Sequence, residues 1–354
     1  MQAPSTAAGL APAQNPGTGD ARTSGRPWAK AGIGLALAGA ILMALAINSA
    51  LQPDPVPYER VPVAVEPASY ADLGLGEGSR KDANIHRLEW RTQGVRGPVA
   101  SALVATGPDS RMVALDWQNF VTEPVLSADL SIKEVGKVLA AIRQHVPETA
   151  TLLSWWDLSR KIRFVSQCKA PLDDPLARGL MVPSAWSQSS DRVLSQEQAF
   201  WGQGVPKADE ETFGRFIDAL MMDEAAGAEA LRALAPAGDV YIAVHLSDIW
   251  KAASARPDKI SIAYRDFAAT NQAHGVIKAA RQWMREAKID GAYSVEPIGS
   301  AVRLHYLTNK ESENMLLAKL LPFSESNPLL LKDFELVYQH RGFWIYRIVQ
   351  KDKT

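Results

Sequence analysis

Two short apolar runs in this sequence end in residues able to do chemistry. Thr151 to Trp156 (TLLSWW) stops at Asp157, and Asp239 to His245 (DVYIAVH) is followed closely by Ser247 and Asp248. In open α/β sheets ligands bind beyond the carboxyl ends of the strands, so Asp157, His245 and Asp248 would share one site if the two strands are neighbours. An acid, an imidazole and a second acid on one sheet edge suit metal binding or acid–base work. Each residue also has a plain structural role open to it. Asp caps helix amino termini readily, and a strand-end histidine can be a hydrogen-bonded core residue.

Other reactive groups lie between these runs. Asp173 and Asp174 are adjacent, so in a strand their side chains would point to opposite faces. A turn could present both to one cation, and a solvated turn before Pro175 is the alternative. Cys168 is the only cysteine, with Lys169 and Arg163 nearby to favour a thiolate as redox group or soft-metal ligand. Its alternative is a small buried hydrophobe. A single cysteine excludes an internal disulfide, a four-cysteine zinc site and a C-x-x-C-H haem attachment. The chain is therefore expected to carry no haem of its own, and any haem would belong to a partner. Arg160, Lys161 and Arg163 form a small basic patch, either facing an anionic ligand or partner or lying on a solvated helix face. No G-x-S-x-G, H-E-x-x-H, G-x-G-x-x-G or P-loop pattern is present.

These residues need elements to hold them. Ser131 and Glu134 form a capping box, Val135, Val138, Leu139 and Ile142 make one apolar helix face, and Pro147 follows. This helix feeds directly into the Thr151 to Trp156 run, which is half of a βαβ unit and argues for partly parallel pairing. Earlier strands are expected at Ile85 to Arg91 and Met112 to Trp117. Past Asp174 the chain reads as irregular to about Lys207, a length typical of lids and binding loops. A helix over Glu211 to Leu234 interrupted near Gly227 follows, then a helix over Gly275 to Lys288 and strands at Ala292 to Glu296 and Val302 to Tyr306. A helix at Glu313 to Leu321 precedes a closing hairpin of Phe334 to Tyr338 with Phe343 to Val349. Trp155 and Trp156, adjacent in a strand, would face opposite sides.

The amino-terminal part differs in composition. Residues 1–30 are rich in Ala, Pro, Gly, Ser and Thr and read as a disordered tail. Ala31 to Leu51 (AGIGLALAGAILMALAINSAL) carries no charge over the roughly 20 residues needed to span a bilayer. Arg22, Arg26 and Lys30 precede it while Asp54 and Glu59 follow, so the positive-inside rule places the tail in the cytoplasm and the rest in the periplasm. Ala44-Leu45-Ala46 also has the form of a signal-peptide cleavage site, but the apolar run is longer than a signal core of about 7 to 15 residues. Residues 52–84, with five prolines among the first sixteen, read as an extended spacer before an α/β domain over residues 85–354, with a possible subdivision near 147. The net charge of −1, from 38 basic and 39 acidic residues, provides no basis for nucleic-acid binding. The expected fold class is α/β: one amino-terminal transmembrane helix, then a mixed, partly parallel sheet with flanking helices.

Two resemblances add to this. The order LLSWWD, RKIRFVSQ, APLDD, VYIAVHLSD, LLPF and DFELVYQHRGFWIYRI, from about Pro147 to Val349, resembles the soluble domain of oligosaccharyltransferase-type membrane glycosyltransferases. There a Trp-Trp-Asp strand end precedes an acid-bearing loop and a closing hairpin. That family continues with Tyr-Gly, whereas Asp157 is followed here by Leu158-Ser159, and the likeness is one of fold. The whole chain is similar to the hydroxylamine oxidation protein HaoB family, in LLSWWDLSRKIRF, VYIAVHLSDIWK, IAYRDF with HGVIK, and LLAKLLPFS with LVYQHRGFWIY. This second resemblance implies an inner-membrane, periplasm-facing accessory protein associated with a multihaem hydroxylamine oxidoreductase or related c-type cytochrome. It assigns no catalytic residue. An accessory role is thus expected over an enzymatic one; the alternative is an enzyme-like domain, glycosyltransferase-related or metal-dependent, using the strand ends around Asp157 and His245.

Overall fold

The computed structural model describes residues 38–47, 55–64, 84–106, 112–123, 132–165, 168–173, 182–201, 207–235, 238–268 and 273–350. The chain divides into two units, residues 1–54 and 55–354. In the first, residues 38–47 form a helix, α1, with exposed side chains. No helix among the described residues is long and apolar enough to cross a membrane. The remainder of the expected span, 31–37 and 48–51, lies outside the described residues, as do the expected tail 1–30 and Ser131 of the capping box.

The second unit is mixed α/β with three sheets. An antiparallel meander joins β1 (Tyr58–Val63), β2 (Asn84–Thr92), β3 (Ala100–Thr106) and β4 (Met112–Asn119) in that order. Tyr58–Val63 falls inside the stretch read as a spacer, yet it pairs with β2 from Tyr58↔Thr92 to Val63↔Arg87. The second sheet has the order β10 (Phe334–His340), β11 (Phe343–Ile348), β6 (Val240–His245), β5 (Thr151–Ser154). Its β5–β6 pair is parallel, and the rest is antiparallel. The third sheet, order β7 (Ile262–Ala268), β9 (Ala301–Leu307), β8 (Tyr293–Ile298), is antiparallel throughout.

Alternation along the strands explains why the second sheet is covered on both faces. Leu152, Tyr241, Ala243 and Ile345 enter one core with Val135, Val138, Leu139 and Ile142 of α2 (Ile132–His145) and Ile162 of α3 (Trp156–Val165). Their neighbours Leu153, Ile242, Val244 and Tyr346 enter another, with Phe213, Phe216 and Leu220 of α5 (Lys207–Leu220), Leu231 of α6 (Glu224–Ala233) and Leu316 and Leu317 of α9 (Leu316–Leu320). Buried on both faces, β5 and β6 have no polar alternation, the pattern of parallel central strands.

Several local expectations are corrected. β5 ends at Ser154 rather than Trp156 because the chain turns at once into α3, with the Ser159 hydroxyl donating to the Ser154 carbonyl at 3.0 Å. Both tryptophans consequently join the same core: Trp155 packs on Phe213 at 5.1 Å, and Trp156 on Trp201 at 6.1 Å. The segment expected to be irregular contains a 3-10 turn (Ser184–Ser189) and helix α4 (Ser190–Trp201). The inward face of α4 is Val193, Glu197 and Trp201, so a charge interrupts its apolar spacing. Glu197 is fully buried, and its carboxylate accepts from Tyr58, from Arg60 Nη2 at 2.6 Å, from Trp90 Nε1 at 3.2 Å and from Trp201 Nε1 at 2.9 Å. That cluster fastens β1 to the domain.

The interruption expected near Gly227 occurs earlier, at Asp223, whose side chain caps α6 by accepting from the Ala226 amide at 3.0 Å, a contact worth about 1 kcal/mol. Gly227 lies inside α6, where a Cβ would come within 2.6 Å of Leu316 Cδ2 and 2.7 Å of the Ala219 carbonyl oxygen. Alanine gains about 1 kcal/mol of helix propensity over glycine, whereas forcing atoms into a packed contact costs about 1–3 kcal/mol. Gly227→Ala is therefore expected to lower stability in urea unfolding. An unchanged or raised midpoint would show that the α6–α9 contact yields freely.

Candidate functional site

Parallel pairing of β5 with β6, from Thr151↔Val240 to Ser154↔Ala243, brings the two strand ends side by side. Each is followed directly by a helix: α3 after β5, and α7 (Asp248–Ala255) after β6. Asp157 and Asp248 therefore converge as the spacing suggests, but a lysine stands between them. Lys251, one helical turn beyond Asp248, places Nζ 2.9 Å from Asp157 Oδ2 and 3.0 Å from Asp248 Oδ1. All three side chains are almost fully buried.

The remaining oxygens are also used. Asp157 Oδ1 accepts from the Leu158 amide at 2.9 Å, and Asp248 Oδ2 accepts from the His245 amide at 2.8 Å. Burial disfavours the charged form of Asp157, but Lys251 and Lys161 outweigh it and hold the carboxyl at about 2. Asp248 is pushed upward by burial, which its contact with Lys251 only partly offsets. Lys251 moves up despite its burial, because both carboxylates favour the ammonium. Lys161, also buried, is lowered by desolvation. The space between the two acids is thus already filled by a cation, and among the described residues no group of three His, Cys, Asp or Glu side chains is placed to hold a metal ion.

His245 is a core residue rather than part of that triad. Its Nδ1 accepts from the Ser247 amide at 3.1 Å and lies 2.8 Å from Ser247 Oγ, while the ring packs on Phe343 at 4.4 Å. A Cβ on Gly342 would meet Nε2 at 2.5 Å, so the hairpin backbone closes over the imidazole. Burial holds its pKa down at about 4.

The other candidates lie apart. The Asp173 carboxylate pairs with Arg163, and its carbonyl accepts from Arg160 Nε at 2.6 Å. Asp174 lies outside the described residues. Cys168 is buried in the apolar core around α2, not displayed as a thiol. Arg160 and Lys161 are buried, and only Arg163 of the basic patch stays exposed, paired with Asp173. Arg160 Nη1 instead donates to the Met112 carbonyl at 2.5 Å, tying α3 to β4.

A cavity of about 580 Å³ opens beside the triad, with Ser247 and Trp250 of the β6–α7 corner on one wall and the third sheet on the other. The antiparallel register builds its polar face in two rows: Asp266–Arg303–Glu296, and Tyr264–His305–Ser294. Directly opposed residues share a face, and residues two apart along a strand do too. Arg303 grips Asp266 through Nε–Oδ1 at 2.7 Å and Nη2–Oδ2 at 2.8 Å, donates to the Thr122 carbonyl at 2.7 Å and lies over the Tyr264 ring at 4.2 Å. Trp250 Nε1 donates to His305 Nδ1 at 2.9 Å, and His305 Nε2 lies 3.1 Å from Glu296 Oε2. The opposite face of this sheet packs on α8 (Ala273–Glu286): Leu304 meets Ala280 and Met284, and Arg265 lies over the Trp283 ring at 4.5 Å. Sequence reading missed this cavity. Its visible signal was the polar alternation in Arg303-Leu304-His305, which marks a sheet with one polar face.

A family model described as HaoA-associated protein HaoB matches residues 25–348. Among solved structures, the crystal structure of the C. jejuni PglB C-terminal domain matches at 12% identity over 60% of this chain and 99% of that one, with a TM-score of 0.36, too distant to bear on fold or activity. No curated protein matches the sequence.

Removing one partner from a buried ion cluster costs about 3–5 kcal/mol, because the charges left behind are unpaired. Lys251→Met is expected to lose that much in urea unfolding, and adding Asp157→Asn and Asp248→Asn should recover most of it. Equal losses in the single and triple variants would show that the ammonium does not serve as counter-ion. His245 supplies a second test. With a folded pKa of about 4 against about 6.5 unfolded, the unfolded state binds more protons between those values. Stability from this residue is complete above pH 6.5 and is lost as pH falls toward 4, by about 3 kcal/mol in all. His245→Gln should flatten the pH 7 to 5 dependence of the unfolding free energy, and an unaltered slope would assign it to other groups.

Proposed function

The chain belongs to the family of HaoA-associated HaoB proteins, and from that premise we propose that it is an accessory protein binding a haem-bearing hydroxylamine oxidoreductase on the periplasmic side of the inner membrane. The family match across residues 25–348 carries this reading. Composition supports the division of labour. With Cys168 as its only cysteine, the sequence has no C-x-x-C-H site for covalent haem, so in this reading the c-type haem is carried by the partner. The strand-end acids are matched by Lys251 rather than left open, which favours a binding module over a metal enzyme at that edge. The uncharged run Ala31 to Leu51, with Arg22, Arg26 and Lys30 before it, supports a single-pass anchor with its amino end in the cytoplasm.

The test is affinity purification of the full-length tagged protein from its native membranes in mild detergent, with absorption spectra and metal analysis of the eluate. Stoichiometric c-type haem absorbance is expected. Deleting residues 31–51 should move the protein out of the membrane fraction while the haem partner still co-purifies. A haem-free eluate carrying a tightly bound metal ion would overturn the accessory reading in favour of an enzyme at the strand ends around Asp157 and His245.

A further inference from the structure

The cavity beside α7 has a charge imbalance that follows from its hydrogen bonds. Arg303 and Asp266 are a bidentate pair and cancel each other. An indole N–H can only donate, so His305 Nδ1, facing Trp250 Nε1 at 2.9 Å, must be the acceptor. The imidazole proton then resides on Nε2 and points to Glu296 Oε2. His305 therefore meets Glu296 as a hydrogen-bond donor. The lining thus sets two carboxylates, Asp266 and Glu296, against one guanidinium. Burial acts against the charge of Glu296, yet the hydrogen bond from His305, with the Arg303 guanidinium nearby, holds its pKa below the ordinary value. Its second oxygen, Oε1, accepts no hydrogen bond among the described residues.

We propose that this cavity binds a small organic cation, with a protonated amine held by Glu296 and its hydrocarbon part lying along Trp250 and Tyr264. The volume, about 580 Å³, lies within the range of about 300–1,000 Å³ common for small-molecule sites. Aromatic walls beside a carboxylate suit an ammonium group with an apolar body, since ring faces attract cations while the acid fixes the orientation. An anionic ligand would meet both Glu296 and Asp266, and the guanidinium that might offset them is already committed to Asp266 and the Thr122 carbonyl. The inference does not depend on which protein this chain accompanies.

The experiment measures binding of benzylammonium to the full-length protein by saturation-transfer NMR and calorimetry, with benzyl alcohol and benzoate as neutral and anionic controls of the same size. Benzylammonium is expected to bind most tightly, and Glu296→Gln should weaken it by about tenfold or more, the usual effect of losing a charged hydrogen-bond partner. The glutamine carbonyl still accepts from His305, so the surrounding network is kept. Ile298→Trp, which places a larger side chain into the cavity from its wall, should abolish binding and leave the thermal unfolding midpoint near wild type. If Glu296→Gln fails to fold, that variant decides. Benzoate binding as tightly as benzylammonium, unchanged affinity in either folded variant, or no binding of any of the three would overturn the proposal.

Discussion

Lys251 Nζ is buried between two carboxylates that arrive from different helices, and the arrangement of the domain's centre depends on their meeting. Asp157 lies in the first turn of α3 after β5, and Asp248 opens α7 after β6. The acids reach one ammonium because the two strands run parallel and end in step, Ser154 beside Ala243. Desolvating three charges is costly, and mutual attraction offsets that cost only when every oxygen has a partner. Here the spare oxygens accept backbone amides of Leu158 and His245, so the cluster couples strand register to the starting points of both helices.

The same corner connects the core to the cavity. Successive residues of a helix are rotated by about 100°, so α7 sends Lys251 inward while Trp250 points to the third sheet. Ser247, just before the helix, both engages the imidazole of His245 and lines the cavity. The third sheet is amphipathic: it packs Leu304 against α8 and leaves its polar face to line the space beside α7.

Family and geometry point the same way. Membership of the HaoA-associated family assigns a role beside another protein, and the described residues offer a mixed α/β scaffold whose most concentrated chemistry is a buried ion cluster and a polar cavity.

The sequence by itself determined those elements in which period and punctuation agree. α2 was legible from Val135, Val138, Leu139 and Ile142 with Pro147 beyond, β6 from its continuous apolar run, and the closing hairpin from His340-Arg341-Gly342, where Arg341 takes a positive φ of 52°. It also indicated that Asp157 and Asp248 would share an edge if their strands paired. Only the tertiary structure decided what they would do there. Lys251 lies 94 positions from Asp157, and no local pattern reports a contact at that distance. α4 was hidden because Glu197 occupies its inward face, a placement tolerated only once Tyr58, Arg60, Trp90 and Trp201 converge on it. The cavity depends on the pairing of β9 with both β7 and β8, which sets Arg303 between Asp266 and Glu296. Local sequence reports the periodicity of one chain segment, whereas the meaning of a buried charge is set by partners that only folding brings within hydrogen-bond reach.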